Sequence, residues 1–316
     1  LLPSSEKGFL RTVQVSLEAG IPVNHVNKLG WSALLEAVIL GDGGYLYRDV
    51  IDALLDANAD IHLQDRDGLS ALDHARLMGQ TGIVARMENL PVEDEVHNVA
   101  LITVKHHIRR FEYEQALGVL SDGPERFADQ VGYHYYCGYV LTELQRYQEA
   151  VEAYRLGLQL TDNPAEFYLY IANSYRLAKQ VPEALAEFDK GIQANPQSGF
   201  VRYHKSNYLR EIGYHEQAVQ EMDALLAELP HRYDYSFHKA NSLRSLGRHE
   251  QAICAIENAI THDVSNALYH IHKAQSLILL GRYKQAMMVI DYAEKVCDEI
   301  SDLGKCRSEI VSLLAK

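Results

Sequence analysis

The feature that most constrains the fold is an alanine that recurs every 34 residues. The series runs through Ala116, Ala150, Ala184, Ala218, Ala252 and Ala286, each preceded by Glu or Gln. An apolar or aromatic side chain follows four residues after each alanine, and a small or medium-sized residue lies twelve before it. Small residues at two such places let antiparallel helices approach closely, and the apolar side chains fill the space around them. A period of this length therefore predicts stacked helix pairs forming a solenoid.

This pattern resembles the tetratricopeptide repeat, a helix pair with a period of about 34 residues. The resemblance covers residues 97–300 as six repeats, which span 97–130, 131–164, 165–198, 199–232, 233–266 and 267–300. Gly247 and Gly281 lie between the two helices of their repeats, where a helix C-terminus favours glycine. Residues 301–316 are predicted to form a capping helix. The resemblance implies an all-α, right-handed superhelix.

The first ninety residues follow a different pattern. The stretches GWSALLEA (30–37) and GLSALDHA (68–75) match each other, and each precedes a second helical stretch. They resemble the ankyrin repeat, with the first repeat of the segment 1–90 truncated and an insertion near 41–49. Such units bury their apolar faces only by stacking on neighbours. We therefore expect this segment to dock on the first tetratricopeptide helices, with 91–96 as the linker.

Composition excludes several classes of function. A formal net charge of −13 disfavours nucleic-acid binding, which needs a basic surface. The four cysteines are far apart in sequence, which favours free thiols in a reducing, cytoplasmic setting. No apolar run is long enough for membrane insertion. The stretch EAVILGDGG (36–44) resembles bacterial sequences, so a bacterial immunity or effector protein stays open as one interpretation.

Motifs for catalysis or cofactor binding are missing from the sequence. There is no GxxxxGK[ST], HExxH or GxSxG pattern. His204, His238 and His272 recur every 34 residues, but equivalent places in stacked helices lie about 8–10 Å apart, whereas zinc ligands lie about 2 Å from one ion. We expect neither an enzyme nor a metal or cofactor site, and interpret the histidines as part of a groove wall.

The functional prediction comes from the helix face that looks into the concave groove. We number each place from the first residue of its repeat. Place 9 gives Asn173, Asn207 and Asn241, and place 12 gives Arg176, Arg210 and Arg244. Aromatic residues at places 5 and 9 add Tyr135, Tyr139, Tyr203 and Phe237, beside the histidines His204 and His238. An amide can bond both groups of a peptide backbone, and the guanidinium fork matches a carboxylate.

The sequence therefore predicts a protein-interaction adaptor that binds an extended peptide, acidic or with a free C-terminus, in this groove. Two alternatives remain open. Recent duplication of the repeats would also explain the recurring Asn and Arg. A scaffold that self-associates, or docks folded partners through Trp31, Tyr45 and Tyr47 or the outer helices, is the rival function.

Overall fold

The computed structural model describes residues 1–6, 8–27, 30–41, 43–90, 99–121, 127, 130–196, 199–229, 233–297 and 301–315. The predicted linker 91–96 lies outside these residues. The regular structure of the described residues is helical apart from two isolated antiparallel bridges, Val26–Ser32 and Gln64–Ser70. The chain divides into two compact units, a first unit of Leu1–Val201 and a second unit of Arg202–Lys316.

Residues 1–90, the N-terminal segment, contain paired helices separated by turns. These are α1 (Leu2–Glu6), α2 (Leu10–Glu18), α3 (Ala33–Leu40), α4 (Tyr45–Asp56), α5 (Ala71–Leu77) and α6 (Thr81–Met87). Ser32 and Ser70 cap α3 and α5 by accepting a hydrogen bond from the backbone N–H three residues on. Both serines also form the bridges named above, so the two matching sequence stretches fold in the same way.

The rest of the chain forms consecutive helix pairs with the predicted period. In the first unit these are α7 (Val99–Arg109), α8 (Tyr113–Ser121), α9 (Val131–Glu143), α10 (Tyr147–Leu158), α11 (Pro164–Leu177) and α12 (Val181–Ala194). Helix α13 (Gly199–Glu211) contains the boundary between the units. In the second unit there follow α14 (His215–Glu228), α15 (Tyr233–Ser245), α16 (His249–His262), α17 (Ala267–Leu279), α18 (Tyr283–Val296) and α19 (Ser301–Leu314). The prediction of an all-α helical-repeat fold is confirmed.

The recurring small residues lie at the helix crossings. All six alanines of the 34-residue series are fully buried. The residues twelve before them that carry side chains are equally buried, as Val104, Ala172 and Ser206 illustrate. At Gly138 an added Cβ would lie 2.4 Å from the ring of Tyr154, so the glycine permits the approach of α9 and α10. The 34-residue period of the sequence therefore marks the places where the two helices of each pair cross.

The turn inside each pair shows one difference along the chain. The middle residue of its three adopts a left-handed backbone in all six pairs, and glycine fills that place in the last three, at Gly213, Gly247 and Gly281. The first three pairs use Phe111, Gln145 and Lys179, with φ of 58°, 61° and 60°. A residue with a Cβ costs roughly 1–2 kcal/mol in this conformation, so the first three turns depend more on their surroundings.

Helix α19 covers the apolar face of the last pair. Leu303 and Ile310 are fully buried in a cluster with Ile290 and Ala293 of α18. Leu314, near the chain end, stays exposed. None of the described helices is long and apolar enough to cross a membrane.

Candidate binding surfaces

Two of the predicted ligand-binding residues in the first unit are buried. Tyr135 has no exposed surface, and Tyr139 is 7% exposed. Their rings lie 6.1 Å apart between centroids, and that of Tyr135 also packs against Tyr154 and Tyr170. The expectation that these two tyrosines contact an external ligand is therefore corrected, because their rings are packed inside the first unit.

The partner that buries Tyr135 is the N-terminal segment. The ring of Tyr45, at the start of α4, stacks on Tyr135 with centroids 5.0 Å apart. Asp49, one turn further along α4, accepts hydrogen bonds from the hydroxyls of Tyr135 at 3.2 Å and Tyr136 at 2.9 Å. The docking of this segment on the repeats is thus present, and its contacts run from the first repeat to Phe200 at the start of the fourth.

A charged cluster joins α4 to the first repeat. Lys105 Nζ lies 2.9 Å from Asp52 Oδ2 and 3.7 Å from Asp49 Oδ1. Arg86 of α6 donates to the same Asp52 at 3.1 Å. Burial raises the pKa of Asp49 to about 6, although Lys105 and the Tyr136 hydroxyl lower it and Asp52 adds to the rise. The desolvation of this carboxyl outweighs the cations around it.

The N-terminal end of α4 meets a buried carboxylate of the third repeat. The Tyr45 backbone N–H donates to Glu166 Oε1, and the Leu46 N–H donates to the hydroxyl of Tyr170 at 3.1 Å. The Tyr170 hydroxyl in turn donates to Glu166. The first N–H groups of a helix have no partner within it and favour negative charge, so Glu166 serves as a cap from outside the segment.

Asn173 and Arg176 of the third repeat lie further along helix α11, which also carries Glu166 and Tyr170. Both side chains are half-buried. The Arg176 guanidinium lies 5.9 Å from the centroid of the Phe9 ring, a cation–π contact with the N-terminal segment. Arg176, which was predicted to bind a ligand, therefore contacts the N-terminal segment of its own chain.

In the second unit, Arg210, Asn241 and Arg244 bond to the histidines of the following repeat. Arg210 Nη1 lies 2.7 Å from His238 Nδ1, and the opposite ring nitrogen lies 3.3 Å from the Tyr203 hydroxyl. Arg244 Nη1 lies 2.7 Å from His272 Nδ1, and Arg244 Nη2 donates to Gln275 at 2.7 Å. The offset of 28 residues between Arg and His is the same in both cases. We call Asn207, Arg210, His238, Asn241, Arg244 and His272 the polar ladder.

Protonation within the ladder is set by burial. Burial, followed by the nearby Arg244, lowers the pKa of His272 to about 4, so the imidazole is neutral at pH 7. Its Nδ1 also lies 2.9 Å from Asn241 Oδ1. Because a guanidinium only donates and an amide oxygen only accepts, the Arg244 contact needs a lone pair on Nδ1, whereas the Asn241 contact needs a proton there. Burial also lowers the pKa of Arg244.

Asn207 differs from Asn241, its equivalent one repeat later. Its amide nitrogen and oxygen are both buried and have no hydrogen-bond partner in the described part of the chain. An amide left in this state costs free energy, about 1–3 kcal/mol for each missing bond. The residue is thus maintained at a place where packing alone favours an apolar side chain.

The aromatic residues predicted for the second unit belong mostly to its core. Tyr203 is 3% exposed and packs against Tyr235 with centroids 5.5 Å apart. Phe237 is partly buried and packs on Tyr269 and His272. The prediction that Tyr203 contacts a ligand is corrected by its burial. His204 is half-buried beside the Tyr203 ring.

Several interacting residues were missed at the sequence level. Glu166, Tyr136 and Tyr170 stand at places 2 and 6 of their repeats, which are predicted to face the groove, but place 6 was interpreted only where it carries histidine. Following place 6 into the second and third repeats would have found the two tyrosines in the same column as the histidines. Asp49 carries no such signal, because it lies in helix α4, outside the 34-residue columns.

The rival scaffold function loses part of its basis. Tyr47 is fully buried, with its ring 5.6 Å from that of Phe200, and Tyr45 is stacked on Tyr135. Neither ring is presented as an open surface.

Among the described residues, no group of three or more His, Cys, Asp or Glu side chains could hold a metal ion.

Comparisons with known proteins give partial matches. Residues 214–293 match the family described as anaphase-promoting complex, cyclosome, subunit 3. The putative ankyrin repeat protein YahD of Escherichia coli (strain K12) is 41% identical over 80 residues, which are 25% of this chain and 40% of YahD. The chain thus matches about two fifths of the length of that relative.

Solved structures of the protein MamA also align with the chain. One from Desulfovibrio magneticus RS-1 is 16% identical, with a TM-score of 0.44, over 52% of this chain and 94% of that one. Another MamA crystal structure is 17% identical, with a TM-score of 0.45, over 52% and 90%. The helical-repeat architecture described above rests on this chain's own helices.

Proposed function

We propose that this chain is a non-catalytic protein-interaction adaptor whose second unit binds an extended, carboxylate-bearing peptide segment at the polar ladder. The observation that carries the proposal is Arg244. Its hydrogen-bond partners, His272 and Gln275, are neutral, and the guanidinium is half-buried. A positive charge placed among neutral acceptors remains available to an anionic ligand, and bonds to charged groups are the stronger ones.

The amides of the ladder supply the second part of the proposed recognition. Asn207 has both a donor and an acceptor unused in the described structure, and if this buried amide turns toward the ligand it can match one N–H and one C=O of an extended backbone. The matches to a repeat-containing family and to an ankyrin protein support protein partners. On the same basis we propose that residues 1–90 are ankyrin-type and that 97–300 are six tetratricopeptide repeats followed by a cap.

The ladder is small, so the expected affinity is modest. A few net hydrogen bonds of about 1 kcal/mol each, and charged ones of about 1.5–3, must offset the ordering of the peptide. This corresponds to a dissociation constant around micromolar, or roughly −8 kcal/mol.

The test uses the full chain and a display library of ten-residue peptides with free C-terminal carboxylates. Enriched peptides are then measured by fluorescence anisotropy against wild type, Arg244→Gln and the double variant Asn207→Ala/Asn241→Ala. We expect each altered protein to bind at least tenfold more weakly, as the loss of a charged hydrogen bond implies. Amidated copies of the peptides show whether the terminal carboxylate or an acidic side chain is recognised.

The matched control is Arg248→Gln. Arg248 lies four residues after Arg244, is exposed, and pairs with Glu216 at 3.0 Å on the outer turn. We expect its binding to stay within twofold of wild type. Equal binding by Arg244→Gln and Arg248→Gln would remove the ladder from the proposed function.

A further inference from the structure

Helix α4 has two chemically different sides. Val50, Ile51 and Leu54 are fully buried, and the helix packs against α2, α3 and α6 of its own segment. Its contacts with the repeats combine the stacking of Tyr45 on Tyr135 and the edge-on contact of Tyr47 with Phe200 with hydroxyl, carboxylate and ammonium groups around Asp49 and Asp52. Interfaces between bodies that separate are more polar than permanent cores. The polar groups of this contact therefore set it apart from the apolar packing of α4 within its own segment.

The surface that receives α4 is shaped for the end of a helix. We call Tyr135, Tyr136, Glu166 and Tyr170 the docking surface. Glu166 is only 5% exposed, and its charge is met by the Tyr45 N–H and the Tyr170 hydroxyl. A Cβ at Gly44 would lie 2.0 Å from Glu166 Oε1, so any other residue before the helix would require the Glu166 side chain to shift.

The side chains at the start of α4 complete the match. Tyr45 stacks on Tyr135, and its edge meets Tyr136 with centroids 6.4 Å apart. Asp49 follows Tyr45 by four residues, one helical turn, and thus reaches the hydroxyls of the same two tyrosines. Glycine, an aromatic residue and an acid one turn later are what this surface recognises in its own chain.

We propose that α4 is an exchangeable intramolecular ligand that holds the docking surface in an autoinhibited state. On release, the surface accepts the N-terminal end of another helix with glycine, an aromatic residue and an acid at the same spacing. A second copy of this chain carries such a helix by necessity. The polar ladder of the second unit is not part of this surface, so its binding is a separate property.

The test starts from the full chain carrying a protease site within residues 91–98. After folding and cleavage, the two pieces are expected to co-elute because the docking contacts persist. A fluorescent label on the N-terminal piece then reports transfer to an excess of unlabelled cleaved protein that carries a fused domain at its C-terminus. Size-exclusion chromatography separates the two complexes and follows the transfer with time.

Weakening the contact should speed the transfer. We expect Glu166→Gln and Tyr45→Ala each to raise the transfer rate at least tenfold over wild type. Glu166→Gln is nearly isosteric, and circular dichroism checks that both variants keep wild-type helicity. The matched control is Arg76→Ala, which removes an exposed ion pair with Glu88 inside the segment and should leave the rate within twofold.

Three results overturn the proposal. One is transfer by both variants at the wild-type rate, which would mean that the contacts at Glu166 and Tyr45 do not hold the segment. The second is the absence of transfer in every protein below its unfolding temperature, which would make the docking a permanent part of the core. The third is separation of the pieces at once in wild type, which would exclude an autoinhibited state.

Discussion

The same helix places are used differently in the two units. In the first unit, groove-side groups of the second and third repeats bond to residues 86 to 124 positions away, in the N-terminal segment. In the second unit, groove-side groups bond to the next repeat, 28 to 35 positions away. In the first unit these places therefore hold the N-terminal segment on the repeats. In the second unit they form the polar ladder between neighbouring repeats. The comparison separates a structural surface in the first unit from a candidate binding surface in the second.

The largest expected effect tests whether Tyr135 belongs to the docking contact. Replacing this buried ring in Tyr135→Ala should lower the free energy of unfolding by about 3–5 kcal/mol. The change should also increase hydrogen exchange of the α4 amides, because Tyr45 and Asp49 lose their partner. Urea unfolding and exchange measured by mass spectrometry check the two parts.

Tyr203→Ala is the matched variant at place 5 of the second unit. Tyr203 is nearly as buried, so a comparable loss of stability is expected. Its contacts with Tyr235 and His238 do not involve α4, and the α4 amides should exchange as in wild type. Equal changes in α4 exchange for the two variants would break the comparison between the units.

A smaller effect concerns the charge of Asp49. Its pKa is raised from 3.8 to about 6, mainly by burial, so the folded protein holds a proton between these values that the unfolded chain has released. The stabilisation is therefore complete below about pH 4 and is lost as the pH rises through 6. This rise in pKa corresponds to about 3 kcal/mol.

The Asp49→Asn protein isolates this effect because its side chain stays neutral. The difference in unfolding free energy, wild type minus variant, should fall by about 2 kcal/mol between pH 4.5 and pH 7.5. Lys105, Arg86 and Asp52 are present in both proteins, so the difference between the two cancels most of their own titration. A constant difference across this range would show that Asp49 is ionised throughout.

Sequence reasoning predicted the architecture because the period is a packing requirement. Ala184 and Ala252 are buried for the same reason, namely that two helices cross there, and a single column of the sequence reveals it. The contact of Asp49 with Tyr136 has no such signature, since the two residues are 87 positions apart and Asp49 lies outside the 34-residue columns. Long-range contacts between unlike segments leave no period in a single sequence.

The candidate site was predicted in part for a related reason. The columns of Asn and Arg were visible, and Asn241 and Arg244 do lie together with His272. The sequence did not show which aromatic residues of these helices are buried. A residue at place 5 is exposed or buried according to whether another part of the chain covers it, and the column does not contain that information. The N-terminal segment covers Tyr135, and the packing of Tyr235 and His238 encloses Tyr203.

The smallest expected effect separates two asparagines that the sequence treats as equivalent. Asn207→Leu replaces a buried amide that has no partner in the described structure, so stability should stay equal or rise by about 1 kcal/mol. Asn241→Leu removes the bond to His272 Nδ1 and should lower it by about 1 kcal/mol. Thermal unfolding at pH 7 distinguishes the two signs. A loss of stability in Asn207→Leu would mean that its amide is already satisfied within the protein. A gain in stability combined with weaker peptide binding would show that the amide is kept for a ligand at the expense of the fold.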